Sequence, residues 1–280
     1  MRLGGRVFTK CQGPEDWAAE VRRLGHRAAD CPVGPDADDA TVAAYAKAAR
    51  AADVVIAEVG AWSNPISPDE SVLAAALDKC TKALALAERI GAVCCVNIAG
   101  SRDAKVHNGP HPLNFTDETF DMIVESIRRI VDAVKPTRTF YTLETKPIIF
   151  PDSAETYLDL IKAVDRKGFA VHLDPINMVS SPRRFYGFAA FIAETVRLLG
   201  PHIKSCHVKD LSLKATSREI VHLDECAPGT GGLDLAAYVR AVGKLSGDLP
   251  FVMEHLDTPE QYAAAGQHLR NLAKNEGVPL

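Results

Sequence analysis

Four segments in the second half of the sequence each end an apolar run on a residue type that binds metals. The segments FYTLE, FAVHLD, IKSCH and FVME finish at Glu144, Asp174, His207 and Glu254. A lone Glu at a strand end is usually an ion-pair partner or a helix cap, and a lone His in an apolar run is usually a core residue. Three carboxylates held together without a cation would repel one another and take up protons, whereas a divalent metal removes that repulsion. The repetition on four segments therefore predicts a metal centre.

The elements that would bring these side chains together follow from two alternating sequence patterns. Short apolar runs predict strands at 6–9, 27–31, 54–59, 93–99, 139–144, 169–174, 203–208 and 251–254. Stretches of helical period predict helices at 14–24, 39–52, 70–90, 117–134, 153–166, 185–199, 233–245 and 258–275. This order predicts an α/β fold, a single (β/α)₈ TIM barrel domain over residues 1–280, in which the carboxyl ends of the strands gather around one axis.

Composition and charge limit the classes of partner. The 280 residues carry a formal charge of -4 and are 47% apolar, as in an ordinary globular protein. The sequence contains no block of Lys and Arg residues, so we do not expect a nucleic-acid partner. No apolar run is long enough for a membrane span, and the start MRLGGRVFTK lacks the apolar core of a secretion signal. We therefore expect a cytoplasmic protein with no membrane partner, in which the seven cysteines are reduced thiols.

The predicted donor set indicates which metal it would hold. Three carboxylates and one imidazole form a hard, mostly oxygen site, which suits Mn²⁺, Mg²⁺ or Co²⁺ better than it suits Zn²⁺, although Zn²⁺ stays an alternative. Ligands that approach from one side leave coordination positions open for two substrate oxygens, as a catalytic metal requires.

The same four residues carry a resemblance to a known family. In their order along the chain they resemble the xylose isomerase-like TIM-barrel superfamily, in particular the sugar isomerases and epimerases of the tagatose 3-epimerase type. The phrases LETKP, HLDPIN, CHVKD and MEHL, between residues 143 and 256, are similar to those of the wider sugar phosphate isomerase/epimerase group. The resemblance implies that Glu144, Asp174, His207 and Glu254 together bind one divalent metal, commonly Mn²⁺.

Two lysines follow this pattern, and two other positions depart from it. Lys146 follows Glu144 in an ExKP phrase that resembles xylose isomerase, where the matching lysine contacts a substrate oxygen. Lys209 bears the same relation to His207, so two ammonium groups are expected to flank the metal, although each lysine has a structural ion pair as its alternative. Asn177 and Leu213 stand where the tagatose 3-epimerase type has a His and an Arg. Ketohexose 3-epimerisation therefore does not transfer to this chain.

Further candidate substrate ligands lie near other strand ends. Glu58 and Trp62 lie at the end of the third predicted strand, where an indole suits the apolar face of a sugar, and Asn97 occupies the equivalent place on the fourth. His172 lies two residues before Asp174, on the same face of the strand but deeper in the barrel. We expect it to hydrogen-bond and orient a metal ligand rather than bind the metal itself.

The stretch at 211–232, predicted as a loop, supplies a last group of candidates. Its glycines would let backbone N–H groups approach an anion. His222 lies at about the spacing of a second-metal histidine in endonuclease IV, a relative by resemblance. Ile220 replaces that enzyme's paired aspartate, however, so a nuclease site is disfavoured. The predicted substrate-binding residues are Glu58, Trp62, Asn97, Asn177, Lys209 and His222.

These observations predict a metal-dependent isomerase or epimerase of a small sugar, sugar phosphate or sugar acid. Glu144 and Glu254 would remove and return a proton while the metal stabilises an enediolate, and Lys146 would polarise the substrate oxygen. The same intermediate would also serve a lyase or dehydratase of sugar acids or glycosides, and a sugar- or metal-binding barrel without turnover remains a third interpretation. A small carbohydrate is the expected partner, and a homo-oligomer is compatible with the family.

Overall fold

The computed structural model of the protein describes residues 1–218 and 220–280. Its strands are β1 (Arg2–Gly4), β2 (Ala28–Ala29), β3 (Val55–Ile56), β4 (Glu58–Gly60), β5 (Cys94–Asn97), β6 (Phe140–Glu144), β7 (Phe169–Leu173), β8 (Ile203–Val208), β9 (Asp210–Ala215), β10 (Val221–Cys226) and β11 (Pro250–Met253). Within the described residues, nine parallel strands form one sheet in the order β3-β2-β1-β11-β8-β7-β6-β5-β4.

The two ends of this sheet belong to one interrupted strand, so the sheet closes into a barrel. β3 and β4 are separated only by Ala57. The Ala57 N–H donates to Ala29 O at 2.8 Å on one side, and the Ala57 carbonyl accepts from Cys94 N at 3.2 Å on the other. The predicted (β/α)₈ barrel is therefore confirmed, and β3 and β4 together form its third strand.

The helices of the described residues follow the strands and surround the barrel. They are α1 (Pro14–Arg23), α2 (Asp39–Ala51), α3 (Glu70–Ile90), α4 (Asp117–Val134), α5 (Ala154–Val164), α6 (Pro182–Tyr186), α7 (Phe188–Leu199), α8 (Leu235–Val242) and α9 (Pro259–Asn275). Ser153 and Thr258 each form a capping box, which fixes the starts of α5 and α9. None of these helices combines the length and the apolar character that a membrane crossing needs.

The prediction of a first strand at 6–9 was wrong. The strand lies at Arg2–Gly4, where Leu3 is buried. A Cβ on Gly4 would stand 2.9 Å from the carbonyl oxygen of Ala28, so the glycine permits the close approach of β1 and β2 rather than marking a turn. Residues 6–9 instead run over the barrel mouth, where Arg6 and Phe8 are exposed.

The segment 211–232, predicted as a loop, contains two strands. β9 and β10 form an antiparallel hairpin in which Leu213 faces Leu223. The signal was present, because Leu211, Leu213 and Ala215 alternate with polar residues, the period of a half-exposed strand.

The alternation of side chains along the strands positions the functional residues. Successive strand residues point to opposite faces, so every second side chain enters the barrel. Ala28, Ala57 and Val252 form a small buried cluster that is separate from the large core beneath the helices. The side chains in phase with that inner set at the carboxyl ends of β6, β7, β8 and β11 are Glu144, Asp174, His207 and Glu254.

Candidate metal centre

Four neighbouring strands bring the predicted ligands together. β11, β8, β7 and β6 are adjacent in the sheet, and Glu254, His207, Asp174 and Glu144 lie at or just beyond their carboxyl ends. Each residue offers one ligand atom, and these four atoms all lie within 4.8 Å of one another. Glu144, Asp174 and His207 are buried, and Glu254 is nearly so. The chain thus holds a buried carboxylate and imidazole cluster that is able to bind a metal.

The imidazole of His207 turns one nitrogen toward the carboxylates. Its Nδ1 lies 2.9 Å from Glu254 Oε2 and 3.5 Å from Glu144 Oε1. This buried Nδ1 has no hydrogen-bond partner of suitable geometry among the described residues. A buried nitrogen lone pair aimed between carboxylates is the arrangement that a metal ion satisfies.

Glu58 holds the other nitrogen of the same ring. Glu58 Oε1 lies 3.3 Å from His207 Nε2 and accepts its N–H, which leaves Nδ1 free as a ligand. The second carboxylate oxygen of Glu58 lies 3.6 Å from His172 Nδ1, which also hydrogen-bonds Ser205 Oγ at 2.6 Å. Glu58, His172 and His207 lie close enough to form a second metal-binding group, but their contacts are those of a support behind His207.

Two ammonium groups lie among the carboxylates. Lys146 Nζ is 2.6 Å from Glu144 Oε2. Lys209 Nζ is 2.8 Å from Asp174 Oδ2 and also contacts Glu254 Oε1, and its side chain is almost fully buried. Both predicted lysines therefore pair with metal-ligand candidates, and Lys209 in addition lies 3.4 Å from Glu225 Oε2 on the hairpin.

Asn177 bridges two of the candidate ligands. Its Nδ2 donates to Glu144 Oε1 at 3.1 Å and to Asp174 Oδ2 at 2.8 Å. The other oxygen of Asp174 accepts the backbone N–H groups of Ile176 and Asn177. The turn after β7 thus fixes the orientation of both carboxylates.

The charge balance of the cluster fits a divalent cation. Lys146 and Lys209 contact the carboxylates of Glu144, Asp174 and Glu254, while Glu58 contacts only the imidazoles, so these four carboxylates exceed the two ammonium groups by two negative charges when the imidazoles are neutral. Buried charge is costly unless it is compensated. A divalent cation supplies the missing charge, and the donor set of oxygens and one imidazole nitrogen suits Mn²⁺ or Mg²⁺.

When no metal is bound, protons take over this compensation. Burial raises the pKa of Asp174 to about 7, with Glu254 and Glu144 adding to the rise and Lys209 opposing it. Burial lowers the pKa of His207, but the carboxylates of Glu254 and Glu58 outweigh it and hold that pKa well above its usual value. Glu144 and Glu254 keep pKa values well below the ordinary range because His207 and the two lysines outweigh the effect of burial.

A cavity of about 390 Å³ opens above the centre. It is lined in part by Glu58, Trp62, His207 and Glu254, and the Trp62 side chain is 39% exposed. Arg6, Asp30, His255 and Tyr262 also line it and were not among the sequence candidates. Asp30 directly follows β2, so the strand-end pattern that selected the four candidate ligands would also select this residue.

Two sequence candidates lie elsewhere. Asn97 is fully buried, where its amide contacts Ser63 N, Cys80 Sγ and Tyr141 Oη, so a substrate would have to displace these contacts. His222 lies exposed on β10 opposite Lys214, outside the two metal-binding groups of the described residues. Both remain predictions as substrate ligands.

Glycines of the segment 227–232 donate backbone hydrogen bonds to a carboxylate of the protein itself, that of Asp210. Asp210 Oδ2 accepts the N–H groups of Gly229 and Gly231 at 3.1 Å each, and Oδ1 accepts those of Leu211 and Leu233. The expectation that these backbone groups approach an anion is met by the carboxylate of Asp210, two residues from the metal-centre strand. A bound ligand would have to compete with that carboxylate.

Comparison with known proteins identifies one family, and many solved structures have a similar fold. The family profile described as xylose isomerase-like TIM barrel matches residues 18–272. Endonuclease IV from Thermus thermophilus is similar in structure, with a TM-score of 0.73 and 16% identity over 98% of this chain and 100% of that one. D-psicose 3-epimerase from Clostridium cellulolyticum, solved with D-tagatose, has a TM-score of 0.68 and 16% identity over 97% and 99%.

A third similar structure is a xylose isomerase-like TIM barrel protein from Mycobacterium smegmatis in complex with magnesium. Its TM-score is 0.67 at 15% identity, over 95% of this chain and 90% of that one. At these identities the likeness establishes the fold. No curated protein sequence matches the chain.

Proposed function

We propose that this chain, which belongs to the xylose isomerase-like TIM barrel family, is a divalent-metal-dependent isomerase or epimerase of a small sugar, sugar phosphate or sugar acid. The observation that carries the proposal is the convergence of three carboxylates and one imidazole at the carboxyl end of the barrel. A sugar epimerase and a magnesium complex among the similar structures support it.

The residues proposed to hold the metal are Glu144, Asp174, His207 and Glu254. Mn²⁺ is the proposed ion, with Mg²⁺, Co²⁺ and Zn²⁺ as alternatives. A bound divalent cation supplies Lewis acidity, which acidifies a C–H bond next to a substrate carbonyl.

The chain's own carboxylates would move the proton. Glu144 on β6 and Glu254 beyond β11 are separated in the sheet by β7 and β8, so they approach the centre from different sides. Both carboxylates are ionised near neutral pH, so each is in the form that accepts a proton. Removal by one and return by the other to the opposite face of the same carbon would invert that stereocentre through an enediolate, whereas return to the neighbouring carbon would move the carbonyl group.

Neighbouring side chains would position the substrate and stabilise the charge that develops on it. The Lys146 ammonium, next to Glu144, would polarise the substrate oxygen on which negative charge accumulates. The half-exposed indole of Trp62 offers a flat apolar surface to the C–H face of a sugar ring at the edge of the cavity.

Proton exchange in D₂O tests this proposal. Aldoses, ketoses and aldonates are incubated with the Mn²⁺-loaded protein, and NMR detects deuterium on carbon whatever reaction follows. Glu144→Gln and Glu254→Gln should each slow exchange by about 10²-fold or more, the usual range for a lost acid or base. Glu194→Gln, on the exposed face of α7, is the matched control and should exchange at the wild-type rate.

Two results would change the assignment. Wild-type exchange rates in both active-site variants, or indifference to a chelator, would contradict the mechanism. A product lighter than the substrate by water or an alcohol would identify a lyase or dehydratase, since isomerisation conserves mass.

A further inference from the structure

A second cavity, of about 600 Å³, opens beside the one above the metal centre. We call it the outer cavity, and it lies between the segment 225–230 and the first half of α9. The two cavities share His255 and Leu256. At this boundary His255 Nδ1 pairs with Glu225 Oε1 at 2.8 Å, and its Nε2 lies 3.4 Å from Glu254 Oε2. A ligand seated at the metal centre is therefore adjacent to the outer cavity.

The wall of the outer cavity is preformed. Gly229 has φ +89, and a Cβ there would stand 2.6 Å from the His268 ring, so only glycine allows this close approach of the segment to α9. The carboxylate of Asp210 holds Gly229 and Gly231 from below. Ligand sites are usually largely preformed in this way, and volumes of about 300–1,000 Å³ are typical of them.

The lining of the outer cavity selects an uncharged, hydroxylated ligand. One face of α9 contributes Gln261, Ala264, Ala265 and His268, at the spacing of consecutive helical turns. The alanines leave an apolar surface for a sugar ring, and Gln261 is able to donate to and accept from hydroxyl groups.

Charge argues against a phosphate or carboxylate in this cavity. Its lining includes the carboxylates of Glu225 and Asp257, two histidines of which His255 is already paired with Glu225, and, among the described residues, neither Lys nor Arg. Anion sites normally supply such cations or free backbone N–H groups. Here the N–H groups of Gly229 and Gly231 already donate to Asp210.

We infer that the substrate carries a second, uncharged carbohydrate unit next to the reacting sugar, and that this unit binds in the outer cavity. The inference rests on the proposed function and narrows its substrate class, from sugars in general to glycosides of a reacting sugar. It places the distinguishing contacts on α9 and on the segment 227–230, away from the four ligands.

The test compares matched probes. Glucose, glucose 6-phosphate and cellobiose share a reacting glucose unit and differ in what is attached, as do fructose, fructose 6-phosphate and lactulose. Binding to the Mn²⁺-loaded protein is measured by calorimetry, and deuterium exchange by NMR. Ala264→Phe fills the outer cavity, and Ala263→Phe, on the same helix but outside the lining, is the control.

We expect the disaccharide of at least one series to bind tenfold or more tightly than its monosaccharide and its phosphate. Ala264→Phe should abolish that preference without changing monosaccharide binding, and Ala263→Phe should preserve it. Equal binding of monosaccharide and disaccharide, a preference for the phosphate, or an unchanged preference in Ala264→Phe would overturn the inference.

The two proposals fail separately. Disaccharide binding that depends on residue 264, without deuterium exchange into any sugar, would overturn the proposed function and support the outer subsite. Exchange that responds to Glu144→Gln, with no preference for disaccharides, would overturn the subsite alone.

Discussion

Replacement of Glu58 by glutamine should weaken metal binding although Glu58 is not one of the four ligands. Glu58 Oε1 accepts the Nε2–H of His207 and so directs Nδ1 at the centre. Glutamine keeps the shape and one acceptor oxygen but loses the charge that makes the imidazole a better donor to a metal. It also removes one of the two uncompensated negative charges, so a bound divalent cation would leave the buried cluster with a surplus positive charge.

The expected size of the effect follows from these two losses. Removing a carboxylate that orients a ligating histidine typically costs about 10- to 100-fold in metal affinity, which corresponds to about 1.4 to 2.7 kcal/mol. Titration with Mn²⁺, followed by calorimetry or by the electron paramagnetic resonance of free Mn²⁺, measures the dissociation constant. Circular dichroism and thermal unfolding of the metal-free variant verify that the fold is intact.

Glu225→Gln is the matched control for Glu58→Gln. It also removes one carboxylate, but Glu225 contacts Lys209 and His255 and is partly exposed, so its effect on affinity should stay within about threefold, as for exposed ion pairs. Equal losses of affinity in the two variants would show that only total charge matters, and would refute the positioning role of Glu58.

Three further predictions concern protons and the segment next to the centre. Metal affinity should fall with falling pH, because the metal must displace protons from Asp174, whose pKa burial raises to about 7, and from His207, whose pKa the carboxylates hold well above its usual value; calorimetry in buffers of different ionisation enthalpy should detect their release. Burial, with Arg270 nearby, lowers the pKa of His26 to about 4, so the unfolded chain takes up the proton first as the pH falls below about 6.5, and stability is lost in that window. Between pH 7 and 5 this group alone should cost about 2 kcal/mol, and urea unfolding of His26→Gln should show a correspondingly flatter pH dependence than the wild type. Asp210→Asn should lower the free energy of unfolding by about 1.5 to 3 kcal/mol and expose the segment 227–232 to proteases, because the carboxylate accepts four backbone N–H groups that an amide cannot all satisfy; wild-type protease resistance would contradict this.

The sequence predicts the barrel well because most of its barrel strands are buried on both faces and most of its helices begin with a side-chain cap. The predicted bounds of α3 and α4 and of β8 match the structure. The first strand was misplaced because Gly4 and Gly5 resemble a turn, whereas the approach of Ala28 is what requires Gly4. That requirement lies in a neighbouring strand and is invisible to local patterns.

The four candidate ligands were predictable from the sequence, but the side chains that contact them were not. Glu144, Asp174, His207 and Glu254 share one local signal, an apolar strand that ends on a metal-binding side chain. The contact of Glu58 with His207 joins residues 149 positions apart, and no periodicity reports it. Only the arrangement of the strands around the barrel brings the side chains of Glu58 and His207 together.

The segment from His207 to Asp210 runs from the candidate metal centre to the residue that holds the wall of the outer cavity. His207 and Lys209 point into the barrel, and Lys209 touches Asp174 and Glu254. The next residue, Asp210, begins β9 and holds the wall of the outer cavity through Gly229 and Gly231. His207 and Val208 pair with β11 and Asp210 pairs with β10, so backbone hydrogen bonds hold this segment at both of its ends. For a substrate that spans both cavities, a variant that loosens Asp210 should lose the preference for disaccharides before it loses metal binding.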